Sequence, residues 1–123
     1  MLECLCVGLG GFLGALGRYL FGLIPISNTQ FPFTTLLVNL LGSILIGIFS
    51  EYSFRISPLR ENVRLFLQVG LCGGFTTFST FSLETMNHLD KGRFGIGFLY
   101  VLLSVGLCLF GIILGRLIVR SFH

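Results

Sequence analysis

Charge is scarce in this sequence of 123 residues: Asp, Glu, Lys and Arg make up 11% of it, and tryptophan is absent. A soluble domain carries roughly 25% charged residues, so this chain has too little charge to cover a surface that faces water. The composition therefore disfavours a soluble enzyme, a nucleic-acid-binding protein and a disordered chain alike. What the sequence has instead is 54% apolar residues, 17 glycines and a mean hydropathy of +0.95, which is typical of closely packed membrane helices.

Uncharged stretches divide the sequence into four candidate membrane helices. Three of these stretches lie between pairs of charged residues, namely Arg18 and Glu51, Arg64 and Glu84, and Arg93 and Arg116. A helix needs about 20 predominantly apolar residues to cross a bilayer, and the N-terminal segment meets this requirement apart from its one arginine. We therefore predict an all-α membrane protein with one membrane domain over residues 1–123 and transmembrane helices at about 4–24, 33–52, 64–86 and 95–119.

The charges beside these helices give only a weak preference for one orientation. With four helices, both tails and the second loop lie on one side, which carries five arginines at positions 55, 60, 64, 116 and 120. The other side carries Lys91, Arg93 and, if it reaches that interface, Arg18. The positive-inside rule places both tails in the cytoplasm, although so small a bias also suits insertion in both orientations. The first segment, whose only early charge is Glu3, lacks the basic start of a signal peptide and is expected to remain as a helix.

The residue types that carry enzymatic or transition-metal chemistry are few and poorly placed. The cysteines at 4, 6, 72 and 108 lack the spacing of a zinc site, and His88 and His123 have no neighbouring nucleophile or acid. No Asp or Glu lies in the middle of a predicted span, where a proton-coupled cation exporter generally needs a carboxylate. We therefore predict that the protein is not an enzyme.

The third predicted span combines a glycine pair with a run of hydroxyl residues. Gly73 and Gly74 are followed by Thr76, Thr77, Ser79, Thr80 and Ser82. This segment predicts a break in the helix at membrane depth, where unwound backbone survives only inside protein or beside a wet cavity and freed carbonyls commonly coordinate ions. The alternative is a kinked helix whose hydroxyls bond back to their own backbone.

Three residues point towards an anion if this region lines a pore. Phe78 and Phe81 lie among the hydroxyls, three residues apart and so on one face of a helix. Such phenylalanines ordinarily contact lipid, but the positive edge of each ring can face an anion, whereas a cation prefers the ring face. Arg18, near the end of the first span, either reaches the interface or attracts anions into a vestibule.

The second and fourth spans carry polar residues with helical spacing. Thr35 and Asn39 lie one turn apart on the second span, and Tyr100, Ser104 and Cys108 form a stripe on the fourth. An amide or hydroxyl in hydrocarbon must find a hydrogen-bond partner, either on a neighbouring helix or in a permeating ion. This inventory of hydroxyls, one amide and phenyl edges favours a small anion that accepts hydrogen bonds.

Small residues recur four positions apart in every predicted span. The pairs are Gly10/Gly14, Ser43/Gly47, Gly70/Gly74 and Gly111/Gly115. Such pairs let helix backbones approach closely, and we interpret them as contacts within a compact bundle.

Three segments, taken in order, carry a family resemblance. They are Gly10-Gly-Phe-Leu-Gly-Ala-Leu-Gly-Arg18-Tyr, Thr35-Leu-Leu-Val-Asn39-Leu-Leu-Gly42, and Gly73-Gly-Phe-Thr-Thr-Phe-Ser-Thr-Phe-Ser82 followed by Glu84. With these motifs the sequence resembles, over essentially its whole length, the fluoride channel family of small four-helix exporters in bacterial membranes. The resemblance implies a fluoride-selective channel of the cell membrane that exports fluoride passively from the cytoplasm and so lowers its toxicity.

The resemblance also implies an assembly and a set of site residues. Two chains would insert antiparallel into the lipid bilayer as a homodimer, with broken third helices crossing at its centre. A structural Na+ would be held there by the backbone carbonyls of Gly73 and Thr76 from each chain. The other residues that match the family's motifs are the pore phenylalanines Phe78 and Phe81, the pore amide Asn39, the polar track of Thr35, Ser79, Thr80, Tyr100 and Ser104, and the vestibule residues Arg18 and Glu84.

Two positions depart from the family's pattern, and other functions remain to be weighed. Thr34 stands where the family often has Gly, and Cys108 stands where Ser or Thr often continues the polar track, although a thiol is a weaker donor. The main alternative is a small proton-coupled multidrug transporter of dual topology, which would need a central Glu in the first helix where only Glu3 is present. A membrane enzyme that uses the cysteines and a structural subunit without transport are further alternatives.

Overall fold

The structure, a computed structural model, describes residues 1–26 and 28–122. All regular secondary structure within these residues is helical. The helices are α1 (Leu2–Gly22), α2 (Phe33–Arg55), α3 (Glu61–Arg64), a π-helix (Leu65–Cys72), α4 (Gly73–Phe75), α5 (Phe78–Asp90) and α6 (Phe94–Ser121). Of these, α1, α2 and α6 have 21, 23 and 28 residues and are long and apolar enough to cross a membrane. The consecutive segments from α3 to α5 make up a fourth helical run, and the all-α class is confirmed.

Close backbone contacts hold these runs together in pairs. The main contacts of α2 are with α6, and those of α1 are with the π-helix. A Cβ atom added to Gly70 would lie 2.8 Å from the Gly10 Cα and 2.8 Å from the Val7 carbonyl oxygen, so this approach requires glycine. A Cβ on Gly47 would lie 2.5 Å from the carbonyl oxygen of Ile112 on α6. The small residues therefore allow helix backbones to touch, as their spacing predicts.

Gly92 sets the length of the last connection. It has a φ of 71°, a conformation that glycine adopts without a steric penalty. Its amide donates to the Leu89 carbonyl and the Arg93 amide donates to the His88 carbonyl, each at 2.9 Å, which is the hydrogen-bond pattern of a Schellman helix end. This cap lets α5 run to Asp90, so the connection to α6 is shorter than the gap between the helices predicted at about 64–86 and 95–119.

The chain leaves helical geometry at two threonines between α4 and α5. Thr76 has a ψ of 158°, and Thr77 has φ and ψ of −149° and 112°. The glycine pair, by contrast, is helical and belongs to α4. The extended residues thus begin two positions after the glycine pair. Thr77 is the N-cap of α5, and its hydroxyl accepts a hydrogen bond from the Thr80 amide at 3.2 Å.

An ion cluster joins the C-terminal ends of α2 and α6. Glu51 is only 5% exposed, and its Oε1 accepts hydrogen bonds from Arg55 on its own helix and from Arg120, the latter at 2.7 Å. On the short α3, Arg64 lies 2.5 Å from Glu61 and lowers the pKa of that carboxyl. All three ion pairs use arginines of the side where the sequence concentrates them.

The best-buried aromatic side chain connects α6 with α2 and α5. Tyr100 has no exposed surface, and its ring centroid lies 5.1 Å from that of Phe81 and 5.6 Å from that of Phe31. Leu36 completes this core cluster. The cluster packs the first turn of α5, which follows the two extended threonines, against α2 and α6.

Candidate functional site

Asn39 on α2 binds the extended backbone between α4 and α5. Its side-chain amide donates to the Thr77 carbonyl at 3.1 Å, and its Oδ1 accepts from the Thr77 amide at 2.8 Å. These two bonds replace contacts that a continuous helix would make within itself. The side chain of Asn39 therefore supplies the hydrogen bonds that backbone groups of a helix would otherwise give to Thr77.

Near the extended threonines, two backbone carbonyls lose their helical amide donors and a third accepts from a side chain. The Thr77 amide, which a continuous helix would direct to the Gly73 carbonyl, donates to Asn39 instead. The Thr80 amide, which would reach the Thr76 carbonyl, donates to the Thr77 hydroxyl. The Gly74 carbonyl accepts from Arg18 Nε at 3.2 Å, so this arginine supports the backbone directly.

Glu84 accepts hydrogen bonds from two of the predicted polar residues. Its Oε1 accepts from the Thr35 hydroxyl at 2.8 Å, and its Oε2 accepts from the Tyr100 hydroxyl at 2.7 Å. The three residues come from α2, α5 and α6, so the carboxylate connects three helices. Thr35 and Tyr100 are thus both hydrogen-bonded to the same acidic residue.

A cavity of about 360 Å³ lies beside these groups and brings together several predicted residues. Asn39, Phe78, Phe81 and Ser104 line it, as do Gly73 and Thr76. The two phenylalanines differ greatly: Phe81 is 8% exposed, whereas Phe78 is 77% exposed on the surface of the single chain. The Ser104 hydroxyl is buried, and within residues 1–26 and 28–122 it has no hydrogen-bond partner.

A second cavity of about 270 Å³ contains the predicted vestibule arginine. Arg18, Thr35 and Thr80 line it together with Thr34, one of the two positions that depart from the family pattern. Thr77 lines both cavities, whereas Asn39 lines only the first. Cys108, the other departure, lines the first cavity.

Some residues stand apart from the expected arrangement, and others were missed. Ser79 is exposed, and its hydroxyl lies 3.4 Å from that of Thr77, a residue that the motif assignment did not place in the site. Gln68 lines the first cavity and was also missed. A lone amide in an apolar stretch was the sequence signal that could have found it.

The first cavity is lined by uncharged hydrogen-bond donors and aromatic rings among apolar side chains. Hydroxyl and amide groups can donate to a small species that accepts hydrogen bonds, and phenyl edges add a weak positive potential. Within the part of the chain that the structure describes, no group of three or more His, Cys, Asp or Glu side chains could hold a metal ion. The cavity therefore suits a small anion better than a transition metal.

Comparison with known proteins identifies the family. A family model described as CrcB-like protein, Camphor Resistance (CrcB) matches residues 5–116. The chain is 48% identical over 122 residues to the fluoride-specific ion channel FluC of Chlorobaculum tepidum, covering 95% of this chain and 97% of that protein. It is 40% identical over 123 residues to FluC of Ruminiclostridium cellulolyticum and 42% identical over 122 residues to FluC of Clostridium perfringens, covering in each case 98% of this chain and 95% of the relative. The chain therefore belongs to the CrcB-like family.

Proposed function

We propose that this protein is a fluoride-selective ion channel through which fluoride leaves the cytoplasm passively, so that its toxicity falls. The observation that carries the proposal is the cavity in which Asn39, Phe81 and Ser104 meet, in a chain whose relatives are named fluoride-specific ion channels. The chain is a multi-pass protein of the inner membrane. Since the cell interior is negative, an anion flows outward through a channel without another energy source.

The donors around the cavity suit the properties of fluoride. Moving a small ion from water into a medium of low dielectric costs on the order of 20 kcal/mol by the Born estimate. Amide and hydroxyl donors from Asn39 and Ser104, with the ring edges of Phe78 and Phe81, replace the hydration shell in steps. Each donor is uncharged and binds weakly enough to release the ion, which conduction requires.

Glu84 organises the hydroxyls nearest to this path. The Thr35 and Tyr100 hydroxyls both donate their protons to the Glu84 carboxylate, which holds the two oxygens in fixed positions. Each hydroxyl therefore has only lone pairs left for another partner. For either hydroxyl to donate to fluoride, it must first release Glu84. The polar track therefore works through a change of hydrogen-bond partner at Thr35 and Tyr100, while Ser104 is free to donate without one.

The working channel is a homodimer of antiparallel chains, each with its third helical run interrupted at membrane depth. Supporting this, Phe78 lines the cavity yet leaves most of its ring uncovered on a single chain, so a second copy is needed to close the path. The weak charge bias of the loops permits insertion in both orientations. Cysteine labelling of an introduced residue in the Asp90–Gly92 turn from both sides of the membrane tests this; labelling from one side alone contradicts dual topology.

A structural sodium ion fits the two carbonyls whose helical donors are engaged elsewhere. The oxygens of Gly73 and Thr76 are hard ligands of the kind that hard cations prefer, and both residues line the cavity. Two oxygens are fewer than such a cation needs, so the same pair from a second chain would complete the site. The ion would fix the crossing of the two chains. Replacing Na+ by N-methylglucamine should lower fluoride flux and dimer stability; unchanged values would contradict this site.

Growth of fluoride-sensitive bacteria separates the channel from the multidrug transporter alternative. Cells that lack their own fluoride exporter should grow on fluoride medium when they express this chain, and the variant in which Phe78 and Phe81 are both replaced by Ile should not rescue them. The same cells, challenged with ethidium, should gain no resistance. Resistance to ethidium without resistance to fluoride would favour the transporter, although the relatives are named as fluoride channels.

A further inference from the structure

The polar groups that line the first cavity, beside Asn39 and Phe81, fall into two sets. One set is engaged within the chain: Asn39 bonds the Thr77 backbone, and the Thr76 hydroxyl donates to the Cys72 carbonyl at 2.8 Å. Besides Ser104, whose hydroxyl has no partner within the described part of the chain, the other set consists of Gln68 and Ser43, which line the same cavity. Within residues 1–26 and 28–122, neither side chain makes a hydrogen bond, in contrast to those of Asn39 and Thr76.

Ser43 and Gln68 each lie along their own helical run away from the Asn39–Thr77 pair. Ser43 follows Asn39 by four residues on α2, which places it about 6 Å farther along the helix axis. Gln68 lies on the π-helix, eight residues before the extended backbone begins at Thr76. The cavity therefore continues past the Asn39–Thr77 pair towards the end of the molecule that carries Glu51 and Arg120.

The two side chains have the right chemistry for a weakly bound anion. An amide NH2 group supplies two donors and a hydroxyl supplies one. Gln68 and Ser43 are half-buried, and polar groups without a partner cost free energy in largely apolar surroundings, so a partly dehydrated anion lowers that cost by accepting their hydrogen bonds. Because the site has no positive charge of its own, an ion held there leaves easily, as a conduction path requires.

We propose that Gln68 and Ser43 form an outer anion site in which fluoride loses part of its hydration shell before it reaches Asn39 and Ser104. This inference rests on the proposed fluoride conduction. In the reverse sense, an ion that arrives from Ser104 regains water at the same place. The site extends the path from the phenylalanine pair to the aqueous end of the cavity.

Fluoride flux measured over a range of fluoride concentrations in liposomes tests the site. Gln68→Leu keeps the size of the side chain and removes its donors, and Ser43→Ala removes one hydroxyl. Loss of a hydrogen bond to an ion should lower flux at low fluoride by about tenfold, with a smaller loss at saturating fluoride. Gln68→Asn, which keeps the amide, should recover part of the flux, and Gln68→Glu should lower it further because the carboxylate repels the anion.

Val69→Ile is the matched control, since Val69 is an exposed neighbour of Gln68 that does not line the cavity. It should conduct like the unchanged protein. If the Gln68→Leu and Ser43→Ala variants elute as folded dimers and keep their flux within twofold at low fluoride, the outer site is wrong while the channel assignment stands. If the unchanged protein and Val69→Ile both fail to conduct fluoride, the proposed function and the outer site are overturned together.

Discussion

Asn39 and Thr77 form a closed pair of hydrogen bonds between two helical runs. The Asn39 side-chain nitrogen donates to the Thr77 carbonyl at 3.1 Å, and its oxygen accepts from the Thr77 amide at 2.8 Å. One side chain thus satisfies both backbone groups of an extended residue. Because Asn39 also lines the first cavity, the same side chain that binds the extended backbone contributes to the wall of the proposed path.

Asn39→Ala should therefore lower stability as well as flux. The change leaves the Thr77 amide and carbonyl without partners, which costs about 1–3 kcal/mol when such groups are buried. Asn39→Asp keeps an acceptor for the Thr77 amide but places a carboxylate oxygen against the Thr77 carbonyl, so stability should fall at least as far. Unfolding in mild detergent measures the difference, with Asn62→Ala on α3 as the control outside both cavity linings. Equal stability of Asn39→Ala and the control would contradict the role assigned to this pair.

The two phenylalanines should respond differently to replacement by Ile. Phe81 is buried against Tyr100, so Phe81→Ile should lower both fluoride flux and stability, the latter by about 1–3 kcal/mol. Phe78 is largely exposed on one chain, so Phe78→Ile should lower flux with little change in the unfolding of the detergent-solubilised chain. Phe98→Ile, at an exposed position on α6, is the control. Unreduced flux in both Phe78→Ile and Phe81→Ile would show that these rings do not face the ion.

Gly70→Ala should separate α1 from the π-helix. The added Cβ would lie 2.8 Å from the Gly10 Cα and from the Val7 carbonyl oxygen, so backbone must move at a cost of about 1–3 kcal/mol. Gly8→Ala makes the same change on α1 at a position with nothing within 4 Å, and it should be neutral or stabilise by about 0.5–1 kcal/mol through helix propensity. Thermal unfolding of the two variants gives the comparison. A Gly70→Ala protein as stable as Gly8→Ala would rule out this backbone contact.

Glu84 and Tyr100 should be energetically coupled. Glu84→Gln keeps one acceptor oxygen, so one of the two hydroxyls loses its acceptor, while Tyr100→Phe removes one of the donors. A double-mutant cycle on the free energy of unfolding should give an interaction energy of about 0.5–3 kcal/mol. Glu84→Gln combined with Ser121→Ala, whose hydroxyl bonds only within α6 at its far end, should be additive. Additivity in the Glu84–Tyr100 cycle would mean that the carboxylate does not hold this phenol.

The sequence predicts much of the architecture because its physical signals are local. Long uncharged stretches reveal α1, α2 and α6, since the length of a membrane helix follows from bilayer thickness. The end of α5 was missed by several residues because the Schellman cap at Gly92 depends on two backbone hydrogen bonds that a turn-forming sequence permits but does not require. Helix ends are set by such details of capping.

The candidate site is less predictable because its partners are distant in sequence. Helical spacing places Thr35 and Asn39 on one face, yet it leaves open whether the amide bonds another helix or an ion, and here it bonds the backbone of Thr77. Glycine pairs make an interruption possible without fixing it, and the extended residues are Thr76 and Thr77 because side chains replace the lost helical bonds there. Glu84 was placed by motif alone, whereas its two hydroxyl donors come from other helices.

Fluoride efflux from liposomes that contain the purified protein tests the central claim most directly. A fluoride electrode follows efflux with Na+ on both sides of the membrane, and the same liposomes loaded with chloride serve as the control. The account predicts rapid fluoride efflux and no chloride efflux beyond that of protein-free liposomes. A folded dimer that releases no fluoride, or that releases chloride as fast as fluoride, would contradict a fluoride-selective channel.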